Sequence, residues 1–506
     1  MDFSSKIHDF IRKCYIYAEK CHCFPGHPWY DLNIDITGGY DMKKFVSGLL
    51  ACSMMFGALW ANGSKDAGGT TKSAAPAVKG KTIINFWTED RHDLAYFQQK
   101  IDEFNKSNPD GIEIAINTVI DNYPNMLAMS FSSGTAPDIA CIASATTGFD
   151  LKTFADAKIV EPLTNYIKDP EYEKVTEASK NILEGVNAVN GVPYWIPTGV
   201  RSGTKMIYNK TLLDAAGCKK LPTTIQEVVD LADAITKAGK GAYYGIGTTS
   251  SAPFVRWFEG ACEKSGIYRY DFKNGRFNFD AYKAPVVIAN KLFKNGDIFP
   301  GSPSQGVDAM RAQFTEGTFG IWANASQEAG VFTKQFPVKK FEWVVGQMPS
   351  LDGTAKGCVS DSTSKGYLLI SSSKHKDLAW KVIKYFSSED FMKGYLEGGY
   401  ALPLSTYMAK HIDASKTGRL ADFALTPYES MYPSVPAISL AGDTYQTALW
   451  NAVMGQADVD AVIKDLNTRY NDALDRDVKM GKIKRIIIKD FDPLKPAAGK
   501  IEYSTK

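Results

Sequence analysis

Residues 81–120 read KTIINFWTEDRHDLAYFQQKIDEFNKSNPDGIEIAINTVI, and three patterns follow one another along them. Lys81 to Trp87 is a short apolar run closed by a charged turn, which predicts a strand. Leu94, Phe97, Ile101 and Phe104 then recur at helical spacing, and Asn108-Pro109 ends that segment. Ile112, Ile114 and Ile116 alternate with other residues, the period of a strand with one buried face. Strand, helix and strand in such close succession form a βαβ unit, and a βαβ unit implies a parallel sheet. A further helix is predicted over residues 124–132, and SGTAPDIACIAS (133–144) turns into a third apolar strand.

Upstream lies GGYDMKKFVSGLLACSMMFGALWANGS, residues 38–64. Read from Met42 it has the parts of a secretory signal: basic Lys43 and Lys44, an apolar stretch from Phe45 to about Leu59, and small-residue cleavage chemistry ending at Ala61. Gly38-Gly39 can be encoded as a ribosome-binding sequence two codons before Met42. Residues 1–41 are therefore read as a leader included in error, 42–61 as the signal and 62–80 as a flexible linker. The alternative for 1–41 is a true extension in which Cys14, Cys21, Cys23, His22 and His27 form a weak metal pattern. Leu49-Leu50-Ala51-Cys52 also resembles a lipobox, so lipidation at Cys52 stands as an alternative to cleavage after Ala61. Phe45 to Ala61 is short for a membrane span of about 20 residues. The expected location is outside the cytoplasm, in the periplasm or anchored there by lipid.

Removing 61 residues from 506 leaves 445, too many for one hydrophobic core and suited to two or three domains. With 58 basic and 56 acidic residues, no electrostatic case for nucleic acid exists. Beyond the signal the cysteines are Cys141, Cys218, Cys262 and Cys358, widely spaced and without a Cys-x-x-Cys, so they read as buried thiols with any disulfide pairing left open. Farther along, a strand is expected at Met206 to Tyr208. LPTTIQEVVDLADAITK carries a helix with a Thr-x-x-Gln cap at its start, Thr224 to Glu227 being the alternative cap. Two more helices are expected in KDLAWKVIKYFSSEDFMKGYLE and VDAVIKDLNTRYNDALDRD.

Five segments together carry a resemblance: the FW strand with its FNKSNP helix end, SSGTAPDI, IYNKTLLDAAG followed by LPTTIQEVVDLA, FTEGTFGIWANASQ, and AWKVIKYFSSEDFMKGYLEGGYALPLS. Their order, across nearly all of residues 81–480, resembles the extracellular solute-binding proteins of ABC importers, the large sugar-binding family that includes maltose-binding protein. The resemblance implies an α/β fold of the type II periplasmic-binding-protein class, two lobes with a hinge and an interlobe ligand cleft. Lobe I would comprise 81–200 and 363–402, and lobe II 204–361 and 404–485, leaving 486–506 as a tail with no functional account. It also implies a monomer that captures a mono- or oligosaccharide, needs no cofactor or metal, catalyses nothing and delivers its ligand to permease subunits in the membrane.

In open α/β sheets ligands sit beyond the carboxyl ends of strands, which selects Glu89 and Asp90 after the first strand and Ser144 with Thr146 after the third. Asp138 is read as fixing a turn. By position in the matching segments, Trp322 is the expected stacking platform for a sugar ring. Burying roughly 50 Å² of a ring face at about 25 cal/mol/Å² yields only about 1.3 kcal/mol, against about 8 kcal/mol for micromolar binding. Further contacts are therefore expected from Tyr123, Phe254, Trp257 and Tyr432, with Arg201, Asn324 and Asp361 as polar partners. Two other readings stand beside this one. An exported glycoside hydrolase would need a carboxylate pair, which Glu89, Asp90, Glu259 and Asp361 supply on paper. A metal carrier of the same fold would use Tyr243 and Tyr244.

Overall fold

The computed structural model describes residues 80–505 apart from 145, 147, 250 and 251. The expected leader, the signal, residues 62–79 of the linker, Cys52 and the cluster from Cys14 to His27 lie outside the described residues. Among the described residues, no helix is long and apolar enough to cross a membrane.

The opening stretch forms the predicted unit: β1 (Thr82–Thr88), α1 (Leu94–Ser107) and β2 (Ile112–Thr118), with β1 and β2 parallel and Ile84 opposite Ile114. Helix α1 buries Phe97 and Ile101 against the sheet, and the ring of Phe97 lies 5.8 Å from that of Phe86. After α2 (Tyr123–Ser133), β3 (Ile139–Ile142) joins β1 on its other side, also parallel. Asp138 at the start of β3 does fix this corner. Its carboxylate accepts the Asn85 amide at 2.8 Å and the Ser373 hydroxyl at 2.6 Å.

The chain then passes through Val200–Arg201 into a second sheet at β4 (Lys205–Asn209). Helix α3 (Ile225–Gly239) opens with a capping box on Thr224 and Glu227, not on Thr223 and Gln226. The Thr224 hydroxyl accepts the Glu227 amide at 3.0 Å, while the Glu227 carboxylate takes both the Thr224 and Thr223 amides. That start also puts Ile225, Val228, Leu231 and Ile235 on the buried face. Strand β5 (Tyr244–Ile246), helix α4 (Ala252–Lys264) and strands β6 (Phe319–Asn324) and β7 (Trp343–Gly346) follow. The second sheet runs β7-β4-β6-β5, with β6 antiparallel to β4 and parallel to β5.

Next the chain returns: Ser362–Thr363 pairs antiparallel with Val200–Arg201, and β8 (Gly366–Leu369) completes the first sheet in the order β8-β3-β1-β2. The helix expected from Lys376 onward is two helices, α5 (Lys376–Phe386) and α6 (Glu389–Glu397), because Ser388 caps a new start. A third passage follows at Leu402, which exchanges both backbone hydrogen bonds with Val200 at 2.9 Å. Three passages thus lie side by side, with little room between them. A Cβ on Gly199 would stand 2.9 Å from both the Leu402 carbonyl and the Ser364 hydroxyl. Helices α7 (Tyr445–Val453) and α8 (Val459–Lys479) then cover the second lobe.

Each lobe has its own core. Trp322 belongs to that of the second lobe: it is fully buried on β6, its ring centroid 6.0 Å from Phe319. The tail is part of this lobe as well. Residues Arg485–Ile487 and Glu502–Ser504 form a hairpin, and Ile486, Ile488 and Phe491 enter the core. The Tyr503 hydroxyl reaches Glu184 of the first lobe at 3.1 Å. Two packing substitutions test this assignment by chemical denaturation: Trp322→Ala should cost about 3–5 kcal/mol and Ile488→Ala about 2–5 kcal/mol. Unchanged stability in either would place that side chain outside the core.

Candidate functional site

A cavity of about 470 Å³ lies where the crossings meet the lobes. Lobe I contributes Ser144, from the turn after β3. The crossings contribute Ser202, Thr204 and Ser360 to Ser362. Helix α4 presents Arg256, Glu259, Gly260 and Glu263, and Tyr432, Tyr445 and Gln446 close the far side. The spacing on α4 (i, i+3, i+4, i+7) puts these groups on one helical face, while Phe254, Trp257, Phe258 and Ala261 bury the opposite face in the core.

Several wall groups are held by partners. Ser144 and Thr363 exchange hydrogen bonds at 2.7 and 3.0 Å, joining lobe I to the second crossing. Arg269 pairs with Glu259 at 3.3 Å and its guanidinium lies 5.0 Å from the Tyr445 ring centroid. Tyr282 donates to Glu259 at 3.3 Å. The Ser360 amide donates to Glu263 at 2.7 Å. Burial, then the neighbouring Glu259, pushes the Glu263 carboxyl up to about 8. Burial followed by Glu429 pushes Asp361 up to about 7, and one Asp361 oxygen, Oδ1, is buried without a hydrogen-bond partner. The Ser202 hydroxyl is in the same condition.

Beside the cavity sits a charged knot. Lys365, buried on the second crossing, reaches Asp90 at 2.6 Å and Asp93 at 3.1 Å. Arg201 approaches Asp90 at 3.5 Å and the His92 ring at 3.3 Å. Burial works to raise the Asp90 carboxyl, but Lys365 and Arg201 outweigh it and hold Asp90 well below the usual carboxylate range. Burial drives His92 down to about 4, so its ring is neutral near pH 7. Asp90, His92 and Asp93 have the composition of a metal site, yet the Lys365 ammonium already supplies their positive charge. Glu89 accepts the Thr146 hydroxyl, and burial raises its carboxyl.

Of the residues expected at the site, the structure brings Ser144, Asp361 and Tyr432 to the cavity wall. Glu89, Asp90 and Arg201 gather at the knot next to it. Five are placed elsewhere. Trp322 is sealed in the second lobe's core, with no indole face available for stacking, because every residue of β6 is buried. Phe254 and Trp257 point to the apolar side of α4, and the Trp257 indole donates to Thr248 at 3.3 Å. Tyr123 is buried in the first lobe with its hydroxyl on the Trp87 carbonyl at 3.1 Å. Asn324 is buried and donates to Glu328 at 2.6 Å. Tyr243 and Tyr244 do not line the cavity. The sequence reading did not single out Arg256, Glu263 and Gln446, although Arg256, Glu259 and Glu263 at i, i+3 and i+7 mark one charged face of the helix.

The raised Glu263 makes stability depend on pH in a definite sense. The folded chain holds that proton up to about 8, whereas the unfolded chain releases it near 4.5. Through that window the folded state binds more protons, so stability falls as pH rises. Glu263→Gln removes this titration. Its melting temperature relative to wild type should climb between pH 5 and pH 8, and a difference independent of pH would remove Glu263 as the cause.

Comparisons with known proteins agree with this architecture. The family described as bacterial extracellular solute-binding protein matches residues 88–393. A binding protein of Brucella abortus (strain 2308) is 26% identical over 383 residues, covering 73% of this chain and 87% of its own. A maltotriose-binding protein of Pyrococcus abyssi is 23% identical over 399 residues, covering 77% and 79%. The crystal structure of an ABC transporter solute-binding protein from Thermotoga lettingae, bound with alpha-D-tagatose, superposes with a TM-score of 0.63 at 18% identity, covering 78% of this chain and all of that one. With the family matched over more than half its length and the two-lobed fold in place, the chain belongs to the bacterial extracellular solute-binding proteins.

Proposed function

We propose that this protein captures a carbohydrate in the interlobe cavity and hands it unchanged to the permease of an ABC importer. The observation that carries the reading is the cavity itself: about 470 Å³, placed at the crossings and lined by hydroxyls, carboxyls, guanidinium groups and two tyrosines. That size falls in the range of small-molecule sites, roughly 300–1,000 Å³. Carboxyl and hydroxyl groups suit a ligand covered with hydroxyls, since each can accept or donate several hydrogen bonds. The maltotriose-binding relative and the tagatose-bound structure support a sugar as the class.

Capture follows from geometry. Ser144 belongs to one lobe and α4 to the other, so a ligand touching both binds the closed arrangement better than an open one and shifts the population toward it. The hinge then lies between lobes comprising 81–200 with 363–402 and 204–361 with 404–485. The closed form docks on the permease, after export directed by residues 42–61, and the protein works as a monomer in the periplasm, free or lipid-anchored.

The carboxyls on the wall favour one competing reading, a hydrolase, because Glu263 and Asp361 are raised as a general acid would be. The relatives, which are binding proteins, favour capture, and of the wall carboxyls Glu259 is paired with Arg269 and Glu263 is engaged by the Ser360 amide.

A thermal-shift screen over mono- and oligosaccharides tests the proposal. A true ligand at about 100 times its dissociation constant should stabilise by about 2.7 kcal/mol and be recovered intact by chromatography. Gln446→Ala should weaken the best ligand about three- to tenfold, the worth of one hydrogen bond. Cleavage of an oligosaccharide, or no stabilisation by any sugar, would overturn the reading.

A further inference from the structure

Four cations cluster between the hinge and the cavity: Arg201, Arg256, Arg311 and Lys365. Three of them are matched. Arg201 and Lys365 share Asp90, with Asp93 also on Lys365. Arg311 grips Glu328 through Nε at 3.1 and 3.2 Å to the two carboxylate oxygens, and Asn324 takes up the same carboxylate. Arg256 differs. It lines the cavity, and among the described residues it forms no ion pair and no hydrogen bond. The carboxylate whose field it feels, Glu328, is fully buried and already claimed by Arg311. Burial, together with the fields of Arg201 and Arg311, draws the Arg256 guanidinium down to about 10 against the pull of Glu328.

The contacts of its neighbours sharpen the contrast: Arg311 also meets Asp308 at 2.8 Å, whereas no carboxylate lies within ion-pair distance of Arg256 among the described residues. Of the acids on the cavity wall, Glu259 is bound to Arg269 and Glu263 accepts the Ser360 amide, and neither these nor Asp361 forms an ion pair with Arg256 among the described residues. A partly buried guanidinium without a counter-ion carries a desolvation cost, and this one borders the space where the ligand is proposed to sit. Within reach of the same space, Asp361 Oδ1 and the Ser202 hydroxyl carry no hydrogen-bond partner.

We propose that Arg256 receives an anionic group of the ligand, so that the captured saccharide is an acidic sugar: a uronate, or a sugar carrying an ester phosphate or sulfate. This rests on the carbohydrate reading above. The planar fork of the guanidinium matches a carboxylate or phosphate with two parallel hydrogen bonds. The unpartnered Asp361 and Ser202 atoms are then left to the sugar hydroxyls.

The test is isothermal titration of the full-length protein with glucuronate and galacturonate and their oligomers, with glucose 6-phosphate and 6-sulfate, and with the neutral counterparts. An acidic sugar should bind at least tenfold more tightly than its neutral counterpart, and the uronate and ester arms identify which anion is used. Arg256→Gln should weaken that ligand about ten- to hundredfold, the range of a hydrogen-bonded charge. Arg256→Lys, which keeps the charge but loses the fork, should fall between them. Without ligand, Arg256→Gln should melt no lower than wild type, since it removes an unmatched charge; should it fail to fold, Arg256→Lys and the wild-type preference still decide. Equal binding of neutral and acidic sugars, or acidic-sugar affinity unaltered in both variants, overturns the role of Arg256 while the carbohydrate reading stands. Binding of no sugar of either kind overturns both.

Discussion

One buried ammonium organises the junction of the two lobes. Lys365 sits on the second crossing and holds Asp90 and Asp93, which follow the first strand of lobe I. Burial works against its charge, but the two carboxylates outweigh that and keep it protonated. The cost of removing one member would be high, since it would strand the others as unmatched charges in a low-dielectric setting. Arg201 on the first crossing joins the same group, so two of the three passages between lobes converge on one electrostatic centre. A second buried pair joins Lys205 to Glu429, and Glu429 also accepts the Gly203 amide at 2.9 Å.

This arrangement explains why the site is more charged than an expected sugar platform. The large rings are packed inside the lobes and not at the crossings. Trp322 and Trp257 sit in the second lobe's interior, where their area contributes to stability. The cavity wall then consists of what the crossings and α4 present: hydroxyls, acids and arginines. Tyr432 and Tyr445 remain as aromatic surfaces, and Tyr432 is fixed by its hydroxyl on the Cys358 carbonyl at 2.8 Å.

The tail shows how packing adds to a fold beyond the segments that mark its family. Residues after Lys482 form a hairpin whose apolar side completes the core of lobe II. Through Tyr503 and Glu184 the tail also touches lobe I away from the hinge, next to Ser434, whose amide donates to the Gly185 carbonyl.

Local pattern alone determined much of this protein. The period-two and period-3.6 runs of residues 81–120 specify β1, α1 and β2, because those periodicities record which face is buried. Asp138 was expected to fix a turn, but the partners through which it does so, Asn85 and Ser373, are remote in sequence. The direction of a particular ring was not legible. Trp322 lies on a strand with both faces covered, so alternation gives no sign of which residues meet the ligand and which meet the core. Nor could the order of residues reveal that Arg256 has no ion-pair partner among the described residues: that depends on Arg311, distant in sequence, having taken Glu328. Burial within an element follows from local spacing, whereas the pairing of charges is settled only when remote segments compete for the same few carboxylates.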